Sequence, residues 1–255
     1  MKRSALLKKT GKTAMVCIGA AVVCASALIA QRPTKPSQAV QSMVLDSLDG
    51  LEIKAVSEKG AEAVKVKANI AEYKGRRALH MLNDDTTMGS SGPSGGESLA
   101  IVQGTDFQDG SIEFGVVGMP RQGSNSQSRG FVGVAFRIQG GGEKFENIYL
   151  RFTNGRADDQ LRRNHSAQYS SFPDFPWARL RQENPGVYES YVDIEEKAWT
   201  RVKVVVSGTK AKLYVNGADQ PCLIVNDLKL GQSRGRVALW TGSDTEGYFS
   251  NLRIK

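Results

Sequence analysis

Residues 130–153 read GFVGVAFRIQGGGEKFENIYLRFT. Val132, Val134, Phe136 and Ile138 fall on every second position, three glycines follow at 140–142, and Ile148, Leu150 and Phe152 alternate again. A period of two sends successive side chains to opposite faces of a strand. The two runs therefore predict strands joined by a Gly turn, each with one face in a core. The same alternation turns Tyr149 and Arg151 to the face away from that core. Sheets this apolar need a second layer over them.

The pattern repeats on both sides. Upstream, residues 51–56 and 64–70 alternate, and 77–82 reads as a further strand in which His80 is a packing residue. The stretch 84–97 (DDTTMGSSGPSGGE) is Gly- and Ser-rich and reads as a long flexible loop. Residues 98–102 then lead into 111–117, where Ile112, Phe114 and Val116 share one face and Glu113 lies on the other. Downstream, 200–207 alternates Val202, Val204 and Val206, Gly208 turns the chain, and 210–215 returns. Asn216-Gly217 supplies the pair of positive φ angles that a type I′ turn needs. Residues 222–225, 235–241 and 248–254 complete the set. No segment of ten or more residues carries a 3.6 period, and no repeat longer than the strand spacing is present. Around a dozen short strands predict an all-β fold, a two-sheet antiparallel jelly-roll sandwich over residues 43–255.

The N-terminus reads differently. Lys2, Arg3, Lys8, Lys9 and Lys12 precede an apolar run at 14–25, and Ala25-Ser26-Ala27 offers small residues for cleavage. These are the parts of a secretory signal peptide over residues 1–30. An uncleaved N-terminal membrane anchor is the alternative, since 14–30 reaches the lower limit for crossing a bilayer. Either way the expected location is secreted or periplasmic, with a membrane contact only through that segment. Residues 31–42, with Pro33 and Pro36, read as a linker. Removing the five leader cations from a formal charge of +8 leaves 29 basic residues against 26 acidic, a net of +3. That excludes a nucleic-acid footprint. Cys222 is the single cysteine outside the leader, so no internal disulfide forms, and its run Cys222-Leu223-Ile224-Val225 predicts a buried, inert thiol.

Several motifs carry a resemblance. Phe107-Gln108-Asp109-Gly110-Ser111-Ile112-Glu113-Phe114 and Gly130-Phe131-Val132-Gly133-Val134-Ala135-Phe136-Arg137 resemble the concanavalin A-like lectin/glucanase superfamily. So do Trp199-Thr200-Arg201-Val202-Lys203-Val204, Lys212-Leu213-Tyr214-Val215-Asn216-Gly217, Gly235-Arg236-Val237-Ala238-Leu239-Trp240 and Tyr248-Phe249-Ser250-Asn251-Leu252. Within the superfamily the chain is most similar to laminin-G-like and 3-keto-disaccharide hydrolase-like domains of bacterial secreted proteins. The likeness covers roughly 106–255, and more loosely the chain from Leu45. It implies the sandwich and a carbohydrate ligand on a concave face, but its motifs mark architecture and not activity.

Residues 149–193 break the strand pattern. They hold His165, four Tyr, one Trp and six Arg with almost no aliphatic run, and read as one long ordered loop walling that face. Sugars are held by planar polar groups with aromatic rings under their apolar faces. The expected ligand-binding residues are therefore Tyr149, Arg151, Arg156, Asp158, Asp159, Gln168, Tyr169, Trp177 and Tyr191, with Phe172 and Phe175 as further rings. A self-satisfied loop, its Arg and Asp neutralising one another, is the structural alternative. His165 titrates in the right range for a general base, but the sequence shows no carboxylate to orient it. Asn164-His165-Ser166 also matches a glycosylation sequon, relevant only in a eukaryotic host. Alternation over 188–193 places Glu189, Tyr191 and Asp193 on one strand face, to be joined by Glu113 and Arg151. His165 and Glu189 are thus the candidate catalytic pair of a glycoside hydrolase or lyase. No Glu-x-Asp-x-(x)-Glu strand of the glucanase type is present, which weakens the hydrolase reading. A structural or protein-interaction module is the third reading. No zinc cluster, P-loop or dinucleotide fingerprint occurs. Asp84-Asp85 and Asp158-Asp159 fall short of the six to eight oxygens calcium takes, so calcium stays open without a ligand set.

Overall fold

The computed structural model describes residues 41–56, 66–83, 96–124 and 126–255. The leader, most of the linker, the Gly/Ser loop up to Gly95 with its Asp84-Asp85 pair, and Val64-Lys65 lie outside the described residues.

The chain folds as β1 (Gln41–Met43), β2 (Leu51–Val56), β3 (Val66–Tyr73), β4 (Arg76–Asn83) and β5 (Glu97–Phe107). Next come β6 (Gly110–Pro120), β7 (Phe131–Gln139), β8 (Lys144–Arg151), a 3-10 turn (Phe152–Asn154) and α1 (Gln160–Asn164). Then follow β9 (Ala167–Phe172), α2 (Trp177–Glu183), β10 (Glu189–Ser190), β11 (Thr200–Ser207) and β12 (Lys210–Val215). β13 (Leu223–Val225), β14 (Gly235–Thr241) and β15 (Thr245–Ile254) close the chain. Two antiparallel sheets result. One runs β13-β12-β11-β6-β15-β4-β3 with β1 added along β15, and the other runs β10-β9-β8-β7-β14-β5-β2. The expected all-β two-sheet sandwich is the fold observed.

The core between the sheets is made by the alternating positions. Ile112, Phe114, Val116, Val202, Val204, Val206 and Phe249 come from one sheet, and Val132, Val134, Phe136, Ile148 and Leu150 from the other. Each such side chain contributes about 1.5–3 kcal/mol on burial. A second buried cluster covers the opposite face of the seven-stranded sheet: Leu99, Ile101, Phe131, Ala135, Phe145, Tyr149 and Trp240.

Three readings are corrected. Ile138 does not continue the inward row of Val132, Val134 and Phe136. The β7–β8 register shifts between Phe136 and Gln139, and Arg137 sits at φ +54. The bulge flips the alternation, so Ile138 joins the outer cluster. Arg137 is buried by the same bulge. Its guanidinium donates to the carbonyls of Gln108 and Gly208 and to that of Gly231. Secondly, Gln41 and Ser42 belong to a strand, paired with Ile254 and Arg253, and not to the linker. Thirdly, 149–193 is not one loop. It adds β9 and β10 to the edge of the seven-stranded sheet and folds two short helices beside them.

Asn216 and Gly217 both take positive φ, and the turn they make leads into β13, which pairs with β12. Cys222 is half-buried and not fully so. Burial pushes its thiol up to about 11, which leaves it protonated and inert at neutral pH.

Candidate functional site

Cross-strand pairing builds one lateral row across the outer face of the seven-stranded sheet: Lys54, Leu99, Trp240, Gly133, Tyr149, Gln168 and Glu189. Gly133 is the pivot. A Cβ there would lie 2.2 Å from Ile148 O and 2.6 Å from Tyr149 Cα. Because none is present, the Trp240 and Tyr149 rings meet over it at 4.8 Å. Arg151, on the next rung beside Phe131, lays its guanidinium 5.3 Å over the Tyr149 ring. It donates to the Tyr149 hydroxyl at 3.2 Å, Gln168 Oε1 at 3.0 Å and the His165 carbonyl at 3.1 Å.

The row ends where the two helices stand over the sheet edge. Asp159 caps α1, accepting from the Arg162 amide at 2.8 Å. That fixes the helix whose C-cap is His165. Leu180 anchors α2 in the core. Trp177 and Arg181, four residues apart, share one face of α2, so the Arg181 guanidinium lies 4.4 Å over the indole. Arg151 approaches the same indole at 5.4 Å.

Glu189 receives these cations. Arg181 Nη2 donates to Oε2 at 2.7 Å and Nε to Oε1 at 3.0 Å, a fork-to-fork pair. His165 Nε2 lies 3.2 Å from Oε1, and Arg151 Nη1 3.9 Å from Oε2. The Glu189 side chain is only 4% exposed. Burial is the main cause that lowers the His165 pKa; Arg181 and Arg151 lower it further, and Glu189 opposes them. The imidazole is therefore neutral at pH 7. The Nε2 edge of the ring faces the carboxylate.

Around this cluster opens a groove of about 710 Å³, lined among others by Asn164, His165, Arg181, Glu189 and Tyr191, with Leu161 at its rim. Tyr191 is 40% exposed and Leu161 68%. Arg163 holds the Tyr191 ring, donating to its hydroxyl at 2.8 Å with the guanidinium 4.9 Å over the ring.

The predicted residues thus divide. His165, Glu189 and Tyr191 meet in the groove, with Arg151 and Trp177 directly behind. The missing orienter of His165 is Glu189, brought across from β10. Tyr149, Arg151 and Gln168 face the expected side but are buried, so they brace the site instead of touching a ligand. Burial pushes the Tyr149 hydroxyl up to about 12. Tyr169 is a correction: its ring points into the core and its hydroxyl donates to Glu146 at 2.7 Å. Arg156 is another, spent on exposed pairs with Asp193 at 3.1 Å and Glu195 at 2.8 Å. Asp158 is exposed and outside the groove lining, and Asp159 is a helix cap. Phe172 stacks on Phe145 at 5.0 Å, and Phe175 lies under Arg179. Glu113 sits on the other sheet beside Lys203. His80 is more than packing: it stacks on Tyr248 at 4.5 Å and lies 3.0 Å from Glu246 Oε1. Among the described residues no group of three or more His, Cys, Asp or Glu gathers as a metal site.

Sequence reasoning missed Arg181, hidden in a seven-residue helix, and Asn147. The latter is buried one rung along from Tyr149 on the same face, and neither side-chain polar atom finds a partner. A buried amide left so costs about 1–3 kcal/mol, which needs a reason to persist.

No protein-family model matches the chain, and no curated protein does. Among solved structures, the carbohydrate binding module CBM66 from Bacillus subtilis is similar, with a TM-score of 0.48 and 13% identity. The match covers 74% of this chain and 95% of that one. A Bacillus licheniformis beta-glucanase gives a TM-score of 0.46 at 13% identity, covering 86% of this chain and 99% of that one. The VIP36 exoplasmic/lumenal domain, in a Ca²⁺/Man3GlcNAc-bound form, gives 0.45 at 9%, covering 78% and 88%. These are likenesses of fold alone. None bears on what this chain binds.

Proposed function

We propose that the protein binds a glycan in the groove at the β10 edge of the seven-stranded sheet. One observation carries this reading: the groove presents polar groups already fixed in place beside an exposed tyrosine ring. Arg181, Glu189 and His165 are locked by one another and by Arg151 and Gln168, so a ligand would not have to order them. Tyr191 supplies the flat apolar surface that sugar rings stack on. Export through the leader is part of the proposal and rests on the basic and apolar order of residues 1–30; the mass of the mature chain checks it.

Affinity electrophoresis through gels containing neutral and acidic polysaccharides tests the binding. Tyr191→Ala leaves the fold intact, since the side chain is on the rim, and should weaken retention about tenfold, the equivalent of about 1.4 kcal/mol. Retention of that variant unchanged for every polysaccharide that retains the wild type, or no retention of the wild type by any, would sink the proposal.

A second reading is favoured by the 3.2 Å contact of His165 with Glu189 and the lowered His165 pKa. An oriented, neutral imidazole facing a groove is equipped to take a proton from a sugar hydroxyl or ring carbon. Glu189, held by two arginines, is then the orienting group and not the acid or nucleophile. Among the described groove residues no second carboxylate flanks it, so the two-carboxylate glycosidase mechanism has no partner here. Glycoside turnover abolished by His165→Gln, with a rate that falls on acidification below about pH 6.5, would support this reading. Identical turnover in wild type and His165→Gln would end it.

A further inference from the structure

The outer face of the other sheet carries a second groove, of about 680 Å³, over the central strands β11, β6 and β15. Its polar lining includes Arg76, Arg201, Arg253, Asn216, Asn251 and Glu113. Pairing explains how the cations gather. Arg201, Gly115 and Ser250 form one rung, and Lys203, Glu113, Arg253 and Ser42 another. Among the described lining residues Glu113 is the one carboxylate, and Lys203 approaches it from the neighbouring strand at 3.7 Å. Arg76, Arg201 and Arg253 make no ion pair with any described residue, although all three are exposed. Elsewhere Arg121, Arg137, Arg156, Arg181, Arg234 and Arg236 each reach a carboxylate. Trp199 forms one wall, its indole under the Arg76 guanidinium at 5.0 Å. Beside it lies Ser250 Oγ, buried and without a hydrogen-bond partner. Gly115 leaves room for both, since a Cβ there would fall 2.6 Å from that oxygen and 3.8 Å from the indole.

We propose that this groove is a separate binding site for an acidic saccharide, one bearing carboxylate or sulfate groups. Guanidinium forks match planar carboxylates and sulfates in a bidentate geometry. The indole and the Asn216 and Asn251 amides fit the neutral parts of a sugar chain. A peptide ligand is disfavoured by position. The groove overlies central strands whose backbone groups are already paired, so an extended peptide gains no main-chain hydrogen bonds there.

Isothermal titration of the whole protein with polygalacturonate and with heparin tests the site, with dextran, polyglutamate and single-stranded DNA as comparators. Wild type should bind at least one acidic polysaccharide at least tenfold more tightly than dextran or polyglutamate. Arg201→Ala with Arg253→Ala should remove at least tenfold of that affinity, and Arg234→Ala, which removes an exposed cation outside both grooves, should leave it unchanged. Arg253→Lys separates fork geometry from charge and should lose several-fold. An unchanged thermal midpoint confirms that each variant is folded. Equal binding of polyglutamate or DNA would make the surface a general anion patch and overturn the proposal. So would insensitivity to the arginine variants, or the absence of binding to both acidic polysaccharides.

Discussion

A carboxylate taken out of water costs several kcal/mol unless cations or donors meet it. At Glu189 a bidentate arginine, a second arginine and an imidazole all do so. Glu189→Gln removes the counter-charge while leaving Arg151 buried, and should cost about 3 kcal/mol. For a chain of this size that is a fall in Tm of roughly 6–12 °C, read by calorimetry; a change under 2 °C would show that the cluster is not coupled in this way. His165 gives a pH signature. Its folded pKa lies below the unfolded value of about 6.5, so between the two the unfolded chain binds more protons. Stability from this residue is present above pH 6.5 and is lost as pH falls through the folded value. The loss in denaturation free energy between pH 7.5 and 5 should be smaller in His165→Gln than in wild type, and an equal loss would count against the assignment. His165, Glu189 and Arg151 were legible in the sequence, but Arg181 and the geometry of the cluster were not. His165 and Glu189 are 24 positions apart, and only the return of the chain through β9 and α2 brings them together.

At the scale of elements, alternation identified the aliphatic strands because their inward positions are Val, Ile, Leu and Phe. It missed β9, whose inward positions are Ala167, Tyr169 and Ser171, too small or too polar to register as a period. It also missed α1 and α2, which at five and seven residues are shorter than any helical period test can use. The long loop expected over 149–193 dissolves into these three elements and β10 for that reason. The bulge at Arg137 left no mark either, because a register shift needs a partner strand to be seen. The β7–β8 pair holds the site's back wall, and Gly133 sets how closely it packs. Gly133→Ala forces Ile148 O and the Tyr149 backbone apart and should destabilise by about 1–3 kcal/mol in urea denaturation. Stability equal to wild type would mean that the strands part at no cost.

For the molecule as a whole, the sandwich leaves two outer faces with different chemistry. The seven-stranded sheet buries an aromatic and charged row that ends in an edge groove with one neutral histidine. The eight-stranded sheet bears exposed arginines around a tryptophan. A net charge of +3 outside the leader gave no hint of that division, since it averages over both faces. The central claim is that the edge groove binds a sugar chain. It is met most directly by heteronuclear NMR on the ¹⁵N-labelled protein, titrated with a panel of neutral and acidic oligosaccharides. The account predicts that at least one shifts the amides of residues 161–165 and 186–191 in a saturable way, with the edges of β3 and β13 unmoved. Titrations that move no amide, or that move only residues away from this groove, would contradict it.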